Sequence, residues 1–358
     1  MELQQEIIAI IKQQSYITLE HMMELALCKS AHAYYKCTKN IGDDFITAPE
    51  ISQMFGEMIA LWIITKWQHH IQILPIKDFN LVELGPGSGK LMSDILRTLK
   101  KIAPDTFSAI RQIALLEINP NFIASQKANL SSFGIEISHI DDLSKLDTKS
   151  PNIIIANEFF DALPIKQYIK KNHSWQQVVV RYNQELYFDS IPSVPAPSAY
   201  NFPQHIHAKQ GAILEVSSFA ADAMGQICRL ITSANGCASG AALIIDYGYC
   251  IEPKYRATKQ YTSTLQGVKE HQFYPLLQNL GQVDLTTHVD FYALKQIAEQ
   301  KFSQNVITQS QKQFLQQMGI ELRLAQLIKQ NPRLIQTLTQ QYTRLMQMDF
   351  IVQQVVAG

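Results

Sequence analysis

Residues 79–91, FNLVELGPGSGKL, place three glycines and a lysine directly after an apolar run that ends in an acid. An apolar run followed by glycines is typical of a buried strand that turns sharply into a helix. The glycines let the backbone of the turn approach a ligand closely, and the N-terminus of the helix favours negative groups of that ligand. The identity of the ligand therefore depends on how the acid and the glycines are spaced.

The spacing excludes two phosphate-binding patterns. A Walker A loop requires a glycine where Leu84 stands and a hydroxyl where Leu91 stands. The dinucleotide fingerprint requires its third glycine at the position of Lys90. The remaining pattern is an acid followed by alternating glycines: Glu83, Gly85, Gly87 and Gly89. S-adenosylmethionine fits this pattern, because its positive ammonium and sulfonium suit the acid while its carboxylate suits the helix N-terminus.

Further acids follow the next two strand candidates. Glu117 is the second-last residue of RQIALLEI (residues 111–118), where an acid that contacts ribose hydroxyls is expected. Asp141 and Asp142 follow GIEISHI (residues 134–140) and are placed to meet the adenine amino group. Helix capping explains these two aspartates equally well. The glycines and the acids together predict a binding site for S-adenosylmethionine.

Short apolar strands and helices alternate from residue 79 onward. The strand candidates FNLVEL, RQIALLEI, GIEISHI and NIIIANE are separated by helical stretches, which indicates a parallel sheet with crossover helices. We therefore predict an α/β fold with a Rossmann-like parallel sheet. Its predicted parts are an N-terminal helical segment (1–75), a cofactor-binding core (76–250) with an antiparallel β-meander insertion at about 165–205, and a mainly helical C-terminal part (251–358).

The fourth strand leads into NIIIANEFFDALP, residues 152–164. In an open α/β sheet the active site lies at this end of the strands, so Asn157 and Glu158 are expected to face the methyl donor, with Asp161 one turn later. A guanidinium stays protonated and delocalised in water, and a carboxylate that pairs with it can orient it for methylation. Glu158 and Asp161 are therefore catalytic candidates. The alternative is that Asp161 caps a helix and Glu158 only balances the sulfonium charge.

Composition and charge exclude several classes of protein. Lys+Arg and Asp+Glu both number 31, so no net positive charge favours nucleic acid. No apolar run reaches the roughly 18 residues that span a bilayer, so we expect no integral membrane segment. The N-terminal stretch MELQQEIIAIIKQQ carries acids and an amphipathic period, unlike a signal or transit peptide, and this predicts a cytoplasmic protein. No heptad run settles the oligomeric state; a homodimer through the C-terminal helices stays open, as does a substrate lid.

The cysteines and histidines give no sign of a metal site. The chain has five cysteines without a C-x-x-C pair: Cys28, Cys37, Cys228, Cys237 and Cys250. Free thiols in a reducing compartment explain them better than disulfides. The histidine pairs His69–His70 and His205–His207 have no carboxylate or cysteine at ligand spacing, so no metal is predicted.

Five stretches of the chain resemble one family. They are GDDFITAPEISQMFGEMIALW (42–62), VELGPGSGKL (82–91), ANEFFDALP (156–164), LIIDYGY (243–249) and DLTTHVDFYAL (284–294). The family is MidA, class I S-adenosylmethionine-dependent methyltransferases that include mitochondrial complex I assembly factors, which methylate a protein arginine. The resemblance runs from about Asp44 to the C-terminal helices.

The resemblance implies symmetric dimethylation of an arginine on a partner protein, such as a subunit of respiratory complex I. It also implies that one N-terminal set closes over cofactor or substrate: Thr47, Pro49, Glu50, Ser52 and Gln53. A second set would line the same cleft, with His288 and Asp290 as catalytic candidates: Asp246, Tyr247, His288 and Asp290. Judged from the residues alone, helix capping and a turn explain these positions equally well.

The chain departs from the family pattern at three places. Ser88–Gly89–Lys90 replaces Arg-Gly-Thr, Thr262–Ser263 replaces Gly-Asp, and MQMDFIVQQ (346–354) replaces a pattern with Met-Gly and Phe-Lys. The last two departures put in question whether the substrate surface is the same as in the family. Besides the arginine methyltransferase, two alternatives stay open: a methyltransferase acting on another side chain or a small amine, and a non-catalytic assembly chaperone for a respiratory complex.

Overall fold

The computed structural model describes residues 2–38, 47–68, 78–146, 150–172, 174–192, 208–232, 240–256, 261–302 and 305–357. Several features of the sequence lie outside these ranges. They are the loop around Gly42 and Asp43, Cys237, most of the proline-rich stretch 191–203, and the histidines His69, His70, His205 and His207. The four described cysteines are free thiols.

The N-terminal part is built mainly of short helices. They are α1 (Glu2–Gln14), α2 (Leu19–Glu24) with a π-helical turn (Leu25–Lys29), α3 (Tyr34–Cys37), α4 (Ala48–Ile51) and α5 (Gln53–Lys66), with strand β1 (Ile17–Thr18) between α1 and α2. Helix α1 buries Leu3, Ile7 and Ile11 at the spacing of one helical face. These side chains lie in one hydrophobic cluster with Val180 and Leu285. The N-terminal helices are thus packed against later parts of the chain.

The central parallel strands are those that the sequence predicts, and their ends differ from the predicted ones by a few residues. The elements are β2 (Phe79–Leu84), α6 (Lys90–Ile102), α7 (Pro104–Ser108), β3 (Ile110–Leu116), α8 (Pro120–Leu130), β4 (Glu136–Ile140) and β5 (Asn152–Asn157). Every residue of β2 and β5 is buried, as expected for strands covered on both faces.

The predicted antiparallel insertion is confirmed and extended. It contains β6 (Lys166–Lys171), β7 (Ser174–Asn183), β8 (Glu185–Pro192) and β9 (Ile213–Val216), and α9 (Ser218–Leu230) and β10 (Ala241–Tyr249) follow. Strands β6, β7 and β8 pair antiparallel in chain order. Strand β9 adds to β6, and β1 adds to β7.

The prediction of a mainly helical C-terminal part was incomplete. The elements are β11 (Gln266–Lys269), β12 (Gln272–Tyr274), β13 (Asp284–Thr286), β14 (Val289–Asp290), α10 (Phe291–Phe302), β15 (Val306–Ser310), α11 (Gln311–Gln317), α12 (Ile320–Gln330), α13 (Ile335–Gln347) and β16 (Phe350–Val356). Glutamine is a good helix former, so the pattern around β16 favours a helix. Instead β16 pairs with β10 and β15, and its Gln354 Oε1 accepts a hydrogen bond from Trp62 Nε1 at 2.8 Å.

The main sheet places the predicted site at its topological switch point. Its strand order is β15-β16-β10-β5-β2-β3-β4, with β14 paired to β10. Strand β2 pairs in parallel with β3 on one side and β5 on the other, and ligands of open α/β sheets bind at the carboxyl ends of such strands. One face of the sheet packs mainly on α5, α6 and α11–α13, and the other mainly on α9 and α10.

The predicted boundaries near residues 75 and 250 stay a prediction. Strand β1 crosses the first by pairing with β7, and β16 crosses the second by pairing with β10. None of the helices in the described ranges has the length and hydrophobicity needed to span a bilayer.

Candidate active site

The glycine turn after β2 has a left-handed backbone. The φ angles are 64° at Gly85, 52° at Gly87 and 79° at Gly89, a region that side-chain-bearing residues rarely adopt. Gly85 and Gly87 line a cavity of about 540 Å³ at the carboxyl ends of the parallel strands. Gly89 precedes α6 and packs on Gln126, whose Cγ would lie 3.2 Å from an added Cβ. Gly89 is therefore a structural glycine of the turn and lies outside the cavity wall.

Glu83, the last acid of β2, lies on the cavity wall with a buried carboxylate. The residue is 3% exposed, and its Oε2 has no hydrogen-bond partner among the described residues. Burial raises the pKa of this carboxyl to about 8, and the charge of Glu117 adds to the effect. An unpaired buried acceptor is costly, so this position favours a ligand that brings a donor or a positive charge.

Glu117 follows β3 and lies on the same wall. Its Oε1 accepts the backbone N–H groups of Ile118 and Asn119 at 2.9 and 2.8 Å, and its Oε2 accepts from Gln126 Nε2 at 3.2 Å. The same Gln126 nitrogen donates to the Gly87 carbonyl at 2.6 Å, which ties the glycine turn to the acid. Burial raises the pKa of Glu117, and these hydrogen bonds partly oppose the rise. Gln126 could not be identified from the sequence, because a polar residue inside a helix carries no signal of such contacts.

The two candidate aspartates after β4 occupy different places. Asp141 lines the cavity and forms an ion pair with Lys145, which lowers the pKa of its carboxyl. Asp142 lies outside the wall; its Oδ1 accepts from Ser144 N at 2.7 Å and caps a short 3₁₀ turn, which lowers its pKa. The structure thus divides the pair into one residue at the cavity and one helix cap.

Glu158 directly follows β5 and adopts a strained backbone. Its φ is 50°, which costs a residue with a side chain on the order of 1–3 kcal/mol. Its Oε1 accepts from Ala48 N at 3.3 Å and from Asn157 Nδ2 at 3.2 Å. Burial raises the pKa of Glu158 to about 8, with the charge of Asp161 adding to it. Glu158 lines the cavity, as does Asn157, whose Oδ1 has no partner among the described residues.

Asp161 lies on the wall beside Glu158, and Asp246 holds the turn that carries both. Asp246 Oδ2 accepts the backbone N–H groups of Phe160 and Asp161 at 2.9 and 3.1 Å. Asp246 is fully buried and outside the wall, so it supports the turn and does not line the cleft. Burial raises the pKa of Asp161 to about 7 and that of Asp246 well above its usual range.

The structure brings some of the residues implied by the resemblance to the cavity. Thr47, Pro49, Glu50, Tyr247 and His288 line it. Glu50 Oε1 accepts from Ser88 Oγ at 3.4 Å, so α4 contacts the glycine turn.

Three other residues implied by the resemblance lie off the wall. Ser52 caps α5 by accepting from Met54 N, and Gln53 is the first residue of that helix. Asp290 forms an ion pair with Arg256, and its Oδ1 accepts from Ala293 N in α10. Ser52 and Asp290 are therefore helix caps, whereas Gln53 is an ordinary residue of the first turn of α5.

The departures from the family pattern fall mostly away from the cavity. Ser88 lies on its wall. Ser263 Oγ instead accepts from Gln167 Nε2 at 2.8 Å, and the stretch 346–354 enters the buried strand β16.

The cavity as a whole is acidic. Seven carboxylates line it: Glu50, Glu83, Glu117, Asp141, Glu158, Asp161 and Asp284. Lys90, the wall residue at the start of α6, is paired with Asp94 at 2.7 Å. Low-dielectric walls that carry one sign of charge attract ligands of the other sign, so the site favours a cation over a triphosphate.

S-adenosylmethionine fits these residues. Its positive groups suit the unpaired acceptors at Glu83 and Asn157, its ribose suits Glu117, and the left-handed turn at Gly85 and Gly87 leaves room for close approach. These residues are the ones that would hold it. The roles of the individual residues stay predictions.

Replacing Glu83 by glutamine tests whether this carboxylate binds the cofactor although its charge destabilises the folded protein. Because the folded-state pKa is raised, Glu83 supports folding below its ordinary pKa of 4.5, and this support is lost as the pH rises through about 8. At pH 8 we expect Glu83→Gln to raise the unfolding free energy of the ligand-free protein by roughly 2–4 kcal/mol. We also expect it to weaken S-adenosylhomocysteine binding at least about tenfold. Denaturant unfolding and calorimetric titration measure the two effects.

The control is Glu136→Gln on the exposed start of β4, which should change neither quantity. A Glu83→Gln protein that is less stable at pH 8 and binds as tightly as the parent would contradict the assignment.

Comparison with known proteins places the chain among methyltransferases. Residues 58–340 match a family model described as "Putative S-adenosyl-L-methionine-dependent methyltransferase". The mitochondrial protein arginine methyltransferase NDUFAF7 of rat is 32% identical over 94% of this chain and 79% of its own length. The human protein of that name is also 32% identical, over 94% and 78%.

A crystal structure from Burkholderia thailandensis bound to S-adenosyl-homocysteine has the same fold. It superposes with a TM-score of 0.84 at 22% identity and covers 99% of this chain and 92% of its own. The predicted α/β methyltransferase fold is therefore confirmed.

The predicted cytoplasmic localisation was wrong. The rat, bovine and human relatives are named as mitochondrial proteins. The prediction rested on the acids and the amphipathic period of the N-terminal stretch, which reflect the packing of helix α1 in the fold and not the compartment.

Proposed function

The chain belongs to the family of S-adenosylmethionine-dependent methyltransferases, and on that premise we propose that it methylates an arginine side chain of a partner protein. One observation supports arginine as the substrate side chain. Two neighbouring carboxylates, the partly exposed Glu158 and the buried Asp161, line the same cavity as the glycine turn and Glu117. A planar cation with several N–H donors suits such a pair better than a neutral nucleophile does. The names of the curated relatives support the same substrate class.

The residues of the chain divide the chemistry among them. When bound, the cofactor supplies a methyl group on a positively charged sulfur. Glu158 and Asp161 accept N–H groups of the guanidinium and hold one nitrogen toward that methyl group, which is mainly a task of positioning. Methylation of the nitrogen releases one proton, and one of these carboxylates takes it. Their raised pKa values, about 8 and about 7, make them better bases near neutral pH than ordinary carboxylates.

The pH dependence of turnover follows from these shifts. The carboxylates act in their ionised form, so kcat/KM for the protein substrate at saturating cofactor should rise at least about tenfold between about pH 6 and pH 8, as groups with pKa values near 7 and 8 ionise. Initial rates in buffers of constant ionic strength measure it. An Asp161→Asn variant should lose part of the rise. A profile that falls over this range would contradict the assigned roles.

Symmetric dimethylation, and a complex I subunit as the partner, are the finer parts of the proposal. They are supported by the resemblance of ANEFFDALP and DLTTHVDFYAL to the MidA family and by the mitochondrial relatives. The acidic cavity supports a cationic substrate side chain and does not identify the partner protein.

Isotopic methyl transfer into a mitochondrial lysate tests the proposal. The lysate is incubated with the protein and methyl-labelled S-adenosylmethionine, and mass spectrometry locates the label. Label on arginine, with symmetric dimethylarginine on a complex I subunit, is the expected result. Label on another side chain or on a small amine would favour the second candidate, and absence of label with cofactor binding retained would favour the assembly chaperone.

A further inference from the structure

Two further residues reach the cavity from distant parts of the chain. Tyr35 comes from the short helix α3 and Asp284 from strand β13, and both line the wall. The Tyr35 hydroxyl donates to Asp284 Oδ1 at 2.8 Å, although the two residues are 249 positions apart. Asp284 is 5% exposed and Tyr35 is half-buried. The contact therefore joins the N-terminal helices to the C-terminal part inside the cavity.

This pair lies next to the catalytic candidate Asp161. Thr287, one residue beyond β13, donates its backbone N–H to the Asp161 carbonyl at 2.9 Å and its hydroxyl to the same oxygen at 3.4 Å. Burial raises the pKa of Tyr35 well above its usual range, and the charges of Asp284 and Asp161 contribute next. Tyr35 thus stays a neutral hydroxyl, which keeps the proton that it donates to Asp284.

The shape of a guanidinium explains why the carboxylates of Glu158 and Asp161 are not sufficient to accept all of its N–H groups. Its five N–H donors point outward in a plane along several edges, whereas a lysine ammonium is a compact point charge. Glu158 and Asp161 belong to the turn after β5 and accept hydrogen bonds from the donors on that side. The donors on the other edges therefore need acceptors from another part of the wall.

We propose that Tyr35 and Asp284 bind the edge of the substrate guanidinium that Glu158 and Asp161 do not reach, and that this pair makes the pocket select arginine over lysine. The inference rests on the proposed function. Tyr35 offers its phenolic oxygen as an acceptor, and Asp284 offers a carboxylate whose orientation Tyr35 fixes. The N-terminal helices thereby supply part of the substrate specificity.

Binding of side-chain analogues to the cofactor-loaded protein tests the inference. The probes are N-acetyl-arginine methylamide and N-acetyl-lysine methylamide, titrated at millimolar concentration into the full chain saturated with S-adenosylhomocysteine. The variants are Tyr35→Phe, which removes only the hydroxyl, and Asp284→Asn, which keeps the shape. Tyr187→Phe on the exposed face of β8 is the matched control.

The parent protein and the control should prefer the arginine analogue. Both site variants should bind it about tenfold or more weakly, with the preference over lysine reduced and the affinity for S-adenosylhomocysteine changed less than about twofold. Unchanged arginine affinity in both variants would overturn the inference alone. An equal loss of S-adenosylhomocysteine affinity would also overturn it, because it would indicate a merely structural role. A parent protein that binds neither analogue, or prefers lysine, would overturn the proposed function as well.

Discussion

Gly87→Val is expected to lower the affinity for S-adenosylhomocysteine by about a hundredfold or more, which calorimetric titration would measure. Gly87 lies on the cavity wall with φ 52°. A β-branched residue in this left-handed region costs roughly 1–3 kcal/mol of strain. The added side chain would also occupy the space that a ligand needs next to the backbone. Relief of the strain would move the turn away from Gln126, which holds the Gly87 carbonyl at 2.6 Å.

Gly134→Val separates loss of the site from loss of the fold. Gly134 also has a positive φ, 73°, and an added Cβ would meet no atom within 4 Å. This control carries a comparable backbone strain away from the cavity, so it should lose stability and keep cofactor affinity. Undiminished binding in Gly87→Val would show that the glycine turn does not approach the cofactor.

Glu158→Gln is expected to keep cofactor binding and to lower kcat by a factor of about 10²–10⁴. The amide keeps the size of the side chain and can still accept hydrogen bonds from Ala48 N and Asn157 Nδ2. It cannot take a proton from the guanidinium, and it removes the negative charge that favours a cationic substrate. Rates of methyl transfer at saturating cofactor, together with titration of S-adenosylhomocysteine, separate the two properties.

The stability of the same variant gives a check against unfolding. The pKa of the Glu158 carboxyl is raised to about 8, so the neutral amide should leave the protein at least as stable above that pH. Glu185→Gln, on exposed strand β8, is the control and should change neither rate nor stability. Full turnover by Glu158→Gln would remove this residue from the chemistry.

Local patterns were sufficient to predict the centre of the fold. The apolar run of β2, the glycines after it and the acid at the end of β3 are each read from a few neighbouring residues. Parallel strands end at one edge of a sheet, so these separate features were expected to converge, and they do. The strands β2 to β5 are predictable for the same reason, because they are short, apolar and bounded by turn residues.

Contacts between distant residues could not be predicted. The bond between Tyr35 and Asp284 depends on helices and strands packing across the whole chain, and no local pattern marks either residue as part of a site. Strand β16 escaped prediction because its glutamines favour a helix in isolation, whereas pairing with β10 and burial decide its conformation.

The division between cavity residues and caps also needed the structure. Asp246 and Tyr247 are neighbours in β10, and only the structure shows that Tyr247 lines the cavity while Asp246 supports the turn after β5. Asp290 likewise had two possible roles, and its ion pair with Arg256 and its bond from Ala293 N place it at the start of α10.

A crystal structure of the chain grown with S-adenosylhomocysteine is the most direct measurement. We expect density for the ligand in the acidic cavity, along the turn from Glu83 to Gly87 and against Glu117. Density at any other place, or a cavity that stays empty at saturating ligand while a nucleotide triphosphate binds there, would contradict the proposed site.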